Sequence, residues 1–212
     1  MTLIYPSDVA FTPAVKAIQA RKGSREGYEQ MEQDGSWDSE ITPDIAAFIA
    51  RQRSFYLATA SADGQPYIQH RGGPPGFLRV IDTHTLGFAD FAGNRQYISQ
   101  GNASENRKAM LFLMDYRNRR RLKIWGEIEV IEGAAPLQDA LMPEGYRARA
   151  EQVFLFKVTA FDRNCPQHIP VRLDLEEVEA LLADREARIA QLEAQVAELT
   201  GAGDHVSSER LS

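Results

Sequence analysis

The only cysteine of the chain, Cys165, stands three residues before His168 in the stretch DRNCPQHIP, Asp162 to Pro170. A thiolate with its base, part of a metal site and a plain loop are the alternatives that these residue types allow. A metal site needs three or four ligands, and no second cysteine or closely spaced histidine or carboxylate pair completes one. A reactive thiolate needs a helix start or a nearby cation, whereas Pro166 predicts a turn. We therefore expect no metal, and either a rigid loop or a pocket wall in which His168 is the candidate catalytic residue.

A second stretch, FAGNRQY, has the composition of an anion site. Asn94 is predicted to cap a short helix that stops at Gly101, so that Arg95 and Gln96 occupy the first turn. Unpaired amides and the macrodipole at a helix start favour a phosphate, and a guanidinium adds charge-assisted hydrogen bonds. The alternative is a capped helix that only connects two strands.

Two further stretches carry polar side chains on predicted strands. In YRNRRRLKIWG the side chains of Arg121 and Lys123 share one strand face and could serve a polyanionic ligand. In QHRGGPPG the two glycines let the backbone approach something flat, because glycine has no side chain to obstruct it. A basic turn and ordinary turn chemistry, respectively, remain the alternatives.

The elements that must position these residues are mainly strands. From Phe55 onward the apolar residues alternate with period two, and Gly and Asp-Gly signals separate the runs. Six or seven mostly antiparallel strands with one short helix among them suggest a small closed or nearly closed barrel. The continuous apolar run KAMLFLMDY predicts a strand that is buried on both faces.

Helices are predicted on both sides of the strands. Thr12-Pro13 and Thr42-Pro43 each begin one, and the segment REGYEQMEQDGSWDSE between them is predicted to be mostly loop. From Leu175 to Leu199 apolar residues recur in alternating steps of three and four, with Arg185 in the seam, which is a heptad pattern. Such a helix must bury its stripe, preferably on a partner helix in a dimer and otherwise on the barrel. The final GAGDHVSSERLS is predicted to be disordered.

The composition disfavours several classes of partner. A formal net charge of −6 gives the chain no cationic field to collect nucleic acid or an anionic membrane. No run of eighteen apolar residues is present, and the N-terminal stretch lacks the features of a signal peptide. A lone thiol fits a reducing compartment. We expect a cytoplasmic protein with neither nucleic acid nor membrane as partner.

The order of the polar motifs is more informative than any one of them. A strand with Gln-His-Arg (GQPYIQHRGG), a strand leading into Asn-Arg (LGFADFAGNRQY) and an arginine-rich strand ending in glycine (RRRLKIWGEIEV) together resemble the pyridoxamine 5'-phosphate oxidase-like family. The resemblance covers roughly Ile45 to Ala160. It implies a mainly β fold with flanking helices, the split β-barrel, which binds FMN between the two subunits of a homodimer.

The resemblance also implies which residues bind the cofactor. One subunit would contact the ring and ribityl chain through its Gln-His-Arg strand and hold the phosphate near the Asn-Arg pair, and Arg121 aligns with a polar residue that reaches FMN from the partner subunit. The implied set is Gln69, His70, Arg71, Gly72, Phe88, Ala89, Asn94, Arg95, Gln96 and Arg121.

The chain departs from the true vitamin B6 oxidase. Asn94 replaces a basic residue, the link GAAPLQDALMPEGYRARAE is short, and the ending of the Arg-Leu-His-Asp-Arg type is missing. We therefore expect an FMN-dependent oxidoreductase that acts on a different small molecule. The alternatives are a non-catalytic module that holds flavin or another phosphorylated ligand, and a relative that uses deazaflavin F420, whose acidic tail would need the Arg117–Lys123 cluster.

The predicted organisation has four parts. An N-terminal segment of helices and loops covers 1–41, and the FMN-binding split-barrel domain covers 42–170. A coiled-coil-like helix follows at 171–200, and a disordered tail at 201–212.

Overall fold

The computed structural model describes residues 5–35, 37–164 and 166–208, with the backbone alone at residue 164 and at 200–208. The chain divides into two compact units, Met1–Ile169 and Pro170–Ser212. The first unit contains every strand that the structure describes, and the second contains one long helix. Cys165 lies outside the described residues, and the four predicted domain ranges stay predictions.

Seven antiparallel strands form one sheet in the first unit. They are β1 (Ser54–Ala60), β2 (Pro66–Gly72), β3 (Arg79–Asp82), β4 (Thr85–Phe91), β5 (Lys108–Asp115), β6 (Arg120–Ile131) and β7 (Ala150–Asn164). From edge to edge the order is β2, β1, β5, β6, β7, β4, β3. Three hairpins join strands that are neighbours in sequence, and the long β7 pairs with β6 on one side and with β4 on the other. The predicted mainly β architecture with flanking helices is confirmed.

One face of the sheet forms the core because apolar side chains alternate along each strand. On β5, Leu111 and Leu113 are fully buried, whereas Phe112 and its neighbours Met110 and Met114 are only half-buried. The prediction that β5 is buried on both faces is therefore wrong for the single chain. Its second face belongs to a surface that also includes Tyr56, which pairs with Phe112 across the ladder.

The helices confirm some of the sequence predictions and correct others. The predicted helix starts at Pro13 and Pro43 are confirmed, and a left-handed Gly23 ends the first helix. The segment predicted to be loop contains α2, where Arg25 forms ion pairs with Glu29 and Glu32. The bounds are α1 (Pro13–Lys22), α2 (Arg25–Gln33), α3 (Pro43–Ala50), α4 (Ile98–Glu105), α5 (Ala135–Leu141) and α6 (Leu175–Ser208), after a 3₁₀ turn at Pro6–Val9.

Two of these helices differ from the sequence predictions in extent. Helix α5 lies in the link that was predicted only as a connection between strands. Helix α6 continues to Ser208, through eight residues of the tail that was predicted to be disordered. Residues 209–212 lie outside the described part of the chain.

Gly126 and Gly101 differ in the space around them, so replacing each by alanine should change the stability in opposite directions. A Cβ on Gly126 would lie 2.1 Å from the Lys157 carbonyl oxygen, at the bulge between β6 and β7. A Cβ on Gly101, inside α4, would meet nothing within 4 Å. We expect Gly126→Ala to lower the free energy of unfolding by about 3 kcal/mol through overpacking. Gly101→Ala should raise it by about 0.5–1 kcal/mol through helix propensity.

Urea denaturation of both variants beside the parent chain measures these changes. A destabilised Gly101→Ala variant would contradict the placement of this glycine inside the helix, where the sequence pattern had predicted a helix stop.

Candidate functional site

Two adjoining cavities lie where β2, β4 and the start of α4 meet. Their volumes are about 190 and 170 Å³, and together they are called the β2–β4 site here. Strands β2 and β4 are far apart in the strand order, so the curvature of the sheet must bring them together. The ring of Phe55 on β1 lies 5.2 Å from that of Phe88 on β4, which shows this closure inside the core. Both cavities are lined by Gln69, Arg71, Asp90, Phe91 and Gly93.

Most of the residues predicted to bind the cofactor line this site. The first cavity includes the four consecutive residues at the end of β2 together with Phe88 and Ala89, and the second includes Asn94 and Arg95. The side chains of Phe88 and Ala89 are buried in the protein core, so these two positions can offer a ligand little beyond the edge of the strand. The four β2 residues are Gln69, His70, Arg71 and Gly72.

The central contact of the site is an ion pair between Arg71 and Asp90. Nη1 of Arg71 donates to Oδ1 of Asp90, and Nε2 of Gln152 donates to Oδ2 of Asp90 at 2.9 Å. The Arg71 guanidinium also lies over the Phe154 ring, 5.3 Å from its centroid. Asp90, Gln152 and Phe154 were not predicted from the sequence, because isolated polar or aromatic residues within apolar strands carry no local signal.

The pair is held in a poorly solvated place. Burial raises the pKa of the Asp90 carboxyl, and the attraction of Arg71 and the hydrogen bond from Gln152 offset only part of that rise. Burial likewise lowers the pKa of the Arg71 guanidinium, against the attraction of Asp90. For each group the free-energy cost of removing the charge from water exceeds the stabilisation by the attraction of its partner, which is common for a buried ion pair.

The start of α4 corrects the predicted anion site. The helix begins at Ile98 after a left-handed Tyr97, not after Asn94, and Gly101 lies within it rather than at its end. Asn94 instead accepts a hydrogen bond from the backbone N–H of Gln96 at 3.2 Å and forms a turn. Gln96 lines neither cavity of the β2–β4 site.

A helix start nevertheless faces the second cavity, with different residues. Tyr97, Ser99 and Gln100 line it, so the positive end of the α4 dipole lies beside the site. The Ser99 hydroxyl donates to Oε1 of Gln69 at 2.9 Å and thereby fixes the helix against β2. The physical argument for an anion at a helix start therefore applies three residues later than the sequence pattern indicated.

The positive charges around this helix start are partly compensated. Glu151 on β7 lies 3.6 Å from Nε of Arg95 and 3.1 Å from Nη2 of Arg149. The Tyr97 hydroxyl donates to the same carboxylate at 3.5 Å. Two guanidinium groups therefore share one carboxylate, and an anionic ligand would compete with Glu151 for both of them.

Arg121 and His168 do not line the β2–β4 site. Arg121 lines a separate cavity of about 440 Å³, called the arginine cavity here. Its lining includes four arginines and one carboxylate, that of Asp44, which lies 2.9 Å from Nη1 of Arg163. Exposed His168 has a φ of 61°, and Pro166, two residues before it, belongs to the arginine cavity. The four arginines are Arg119, Arg120, Arg121 and Arg163.

Comparison with known families identifies the fold. The family model for pyridoxamine 5'-phosphate oxidase matches residues 41–194. The chain belongs to this family. The predicted split β-barrel is thereby confirmed, and the motifs that indicated it lie on β2, β4 and β6 as expected.

Solved structures of other proteins resemble this family member more distantly. HupZ of Group A Streptococcus is 20% identical, covers 63% of this chain and 99% of its own, and has a TM-score of 0.49. An FMN-binding protein from Syntrophomonas wolfei subsp. wolfei is 15% identical over 69% of this chain and 97% of its own, with a TM-score of 0.48. An F420 reductase is 21% identical, covers 55% of this chain and 94% of its own, and has a TM-score of 0.39. No curated protein sequence matches the chain.

The described residues contain no group of three or more histidine, cysteine, aspartate or glutamate side chains placed to hold a metal ion. No helix within 5–35, 37–164 or 166–208 is both long and apolar enough to cross a membrane.

Removing either charge of the central pair should destabilise the protein. Asp90→Asn leaves the Arg71 guanidinium without its counter-charge, and Arg71→Gln leaves the Asp90 carboxylate without its own. We expect each variant to lose about 2–4 kcal/mol in the free energy of unfolding. The double variant should lose at least about 1 kcal/mol less than the sum of the two, because the pair acts as a unit.

Urea denaturation of the ligand-free protein at neutral pH measures this cycle. Additive losses would contradict the assignment of Asp90 as the partner of Arg71.

Proposed function

We propose that the chain is an FMN-binding flavoprotein and that it catalyses the oxidation or reduction of a small molecule. The observation that carries the proposal is a pair of buried hydrogen-bond donors. Among the described residues, the Nε atoms of Arg71 and Arg121 are buried and have no hydrogen-bond partner. Buried polar groups are nearly always paired, so an unpaired donor in a cavity indicates a missing acceptor. Family membership supports a flavin as the source of that acceptor.

The β2–β4 site fits one half of such a ligand. A flat ring can lie along the end of β2, where glycine keeps the surface low and Arg71 offers an N–H and a positive charge next to an apolar ring, that of Phe154. A phosphate fits the start of α4 beside Arg95. When bound, FMN supplies the redox chemistry, and the protein supplies position, charge and a pocket.

The position of the second unpaired donor favours a binding site shared between two subunits. Arg121, the other unpaired donor, lies in the arginine cavity, which contributes nothing to the β2–β4 site of its own chain. In the proposed homodimer, the arginine cavity of one subunit would complete the β2–β4 site of the other.

A half-exposed apolar surface supports the same homodimer. On the outer face of β1 and β2, Tyr56 is 40% exposed and Ile68 is 65% exposed. Phe112 and Met110 continue this surface on β5 and are half-buried. An apolar sheet face of this kind is typical of an interface that a second chain covers.

The visible absorption spectrum of the purified protein tests the cofactor directly. We expect the spectrum of oxidised flavin, either at once or after incubation with FMN, and mass spectrometry of the heat-released chromophore should identify it as FMN. Arg71→Gln and Arg121→Gln should each weaken FMN binding by roughly 10- to 100-fold, since each removes a charge-assisted hydrogen bond.

The matched control is Arg107→Gln, because Arg107 pairs with Glu129 on the exposed surface and lines none of the cavities described above. Protein that stays colourless after incubation with FMN would refute the cofactor assignment. Preferential binding of F420 in a parallel titration would replace FMN by the deazaflavin, with the tail along the arginine cavity.

A second candidate is a module that holds flavin or another phosphorylated ligand without turnover. The compensation of Arg95 and Arg149 by Glu151 favours it, since weak phosphate binding suits exchange of a ligand more than a resident cofactor. Steady-state consumption of NAD(P)H with any acceptor by the flavin-loaded protein would decide against this module.

His168 is the candidate catalytic residue. Its left-handed backbone is held between Pro166 and the buried Ile169, next to the arginine cavity. His168→Ala should reduce turnover of the eventual substrate at least tenfold while FMN affinity stays within about twofold, as expected for a residue that faces substrate rather than cofactor. Cys165→Ser is the comparison and should leave both quantities unchanged. A flavin-loaded Cys165→Ser protein without activity would contradict this assignment and make Cys165 the candidate catalytic residue instead of His168.

A further inference from the structure

Helix α6 carries an apolar stripe that is open to solvent. Over the described side chains, the stripe follows the heptad seam, and its members remain largely exposed in the single chain. Leu182 is 57% exposed, Ile189 is 54% exposed and Leu199 is 75% exposed. A helix with such a stripe is stable only when another surface covers it. The seam consists of Leu175, Val178, Leu182, Arg185, Ile189, Leu192, Val196 and Leu199.

The residue types in the seam indicate how many helices pair. With Leu175 at the first core position, a, the last two heptads hold β-branched Ile189 and Val196 at a and Leu192 and Leu199 at d. The first two heptads differ, with leucine at both a positions and Val178 and Arg185 at d, so the last two indicate the number of helices. β-Branched residues at a combined with leucine at d favour two parallel helices over three or four.

The charged residues that flank the seam indicate the direction of pairing. The e positions are all glutamate, namely Glu179, Glu186 and Glu193, and the g position between the last two is Arg188. In a parallel pair each g residue meets the e residue of the following heptad on the other helix. Arg188 therefore meets Glu193 of the second copy, twice by symmetry, which gives two attractive contacts.

An antiparallel pair would bring like charges together. In that arrangement e positions face e positions and g positions face g positions. With Leu182 opposite Leu192, Glu179 would face Glu193, Glu186 would face its own copy, and Arg188 would face its own copy. Every charged flanking contact in this register would then be repulsive, so the charge pattern disfavours the antiparallel pair.

Arg185 is the one charged residue in the seam, and it supports the same direction. A residue at d in a parallel pair is flanked by the e residue of the other helix, which here is Glu186 of the second copy. The long arginine side chain can extend past the seam toward that carboxylate while its methylene groups stay in the core. A charged core position of this kind fixes the register of a coiled coil at some cost in stability.

We propose that α6 is a parallel two-stranded coiled coil with a second copy of this chain, in the register that places Arg188 beside Glu193 of that copy. The proposal rests on α6 alone and does not depend on the cofactor or on turnover. In the single chain Arg188 donates to Oε1 of Gln191 at 2.6 Å, a contact that the pairing would exchange for the one to Glu193.

Disulfide trapping in the full-length protein tests the direction and the register. Cys165→Ser removes the only native thiol, and Leu192→Cys then places one at a d position. Mild oxidation with copper phenanthroline should convert most of this protein into a covalent dimer, since d residues face their own copies in a parallel pair. The matched control is Ala194→Cys, which lies at position f on the opposite side of the helix and should form little dimer.

Leu199→Cys repeats the test one heptad later, in case the change at residue 192 weakens the helix. Equal trapping at residues 192 and 194, or none at either 192 or 199 in a folded protein, would overturn the proposal. Preferential trapping between Leu182→Cys and Leu192→Cys chains in a mixture would show the antiparallel pair and overturn it as well.

Charge exchange tests the predicted contact itself. In the Leu192→Cys background, Arg188→Glu should reduce the trapped dimer severalfold at low salt, and adding Glu193→Arg should restore most of it. Because trapping is read on a gel without any cofactor, failure of this test is distinguishable from failure of the flavin proposal. If neither charge change alters the amount of trapped dimer, the proposed register is wrong.

Discussion

The ion pair between Arg71 and Asp90 is the contact on which the arrangement of the site depends. It joins β2 at one edge of the sheet to β4 near the other, so a side-chain contact holds the mouth of the barrel where the two strands share no ladder. The same pair keeps two charged groups where water has little access. The hydrogen bond from Gln152 to Asp90 and the contact of Arg71 with the Phe154 ring stabilise these charges. The ion pair therefore fixes both walls of the cleft, β2 on one side and β4 on the other.

Charge neutralisation shapes what the site can recognise. Asp90 compensates Arg71, and the single carboxylate of Glu151 is shared by Arg95 and Arg149, so only one net positive charge of these five groups is left to attract an anion. Directed donors remain: the free Nε of Arg71, and the positive end of the α4 dipole. Recognition in this cleft is therefore a matter of geometry, which suits a flat ligand with a few fixed acceptors better than a mobile polyanion.

Local patterns predicted the strands and missed two helices, α2 and α5. The hairpin signals and the alternation of apolar residues are read within a few residues, and they predicted six or seven antiparallel strands where the structure has seven. Helix α2 was missed because ion pairs support it: Lys16 of α1 pairs with Glu32, and Arg25 pairs with Glu29 and Glu32 within α2. Such contacts are not visible as a spacing of apolar residues in the sequence. The start of α4 was placed too early because Asn94 caps a turn of its own before a left-handed Tyr97.

The sequence by itself determined the family, through the order of three motifs, and with it the split barrel and eight residues that line the β2–β4 site. It also determined the heptad seam of α6, since that pattern is local to one helix. Only the tertiary structure decided that Asp90, Glu151 and Gln152 belong to the site. The reason is physical: Arg71 and Asp90 are 19 positions apart in the chain, and the curvature of the sheet that joins them is a property of all seven strands together.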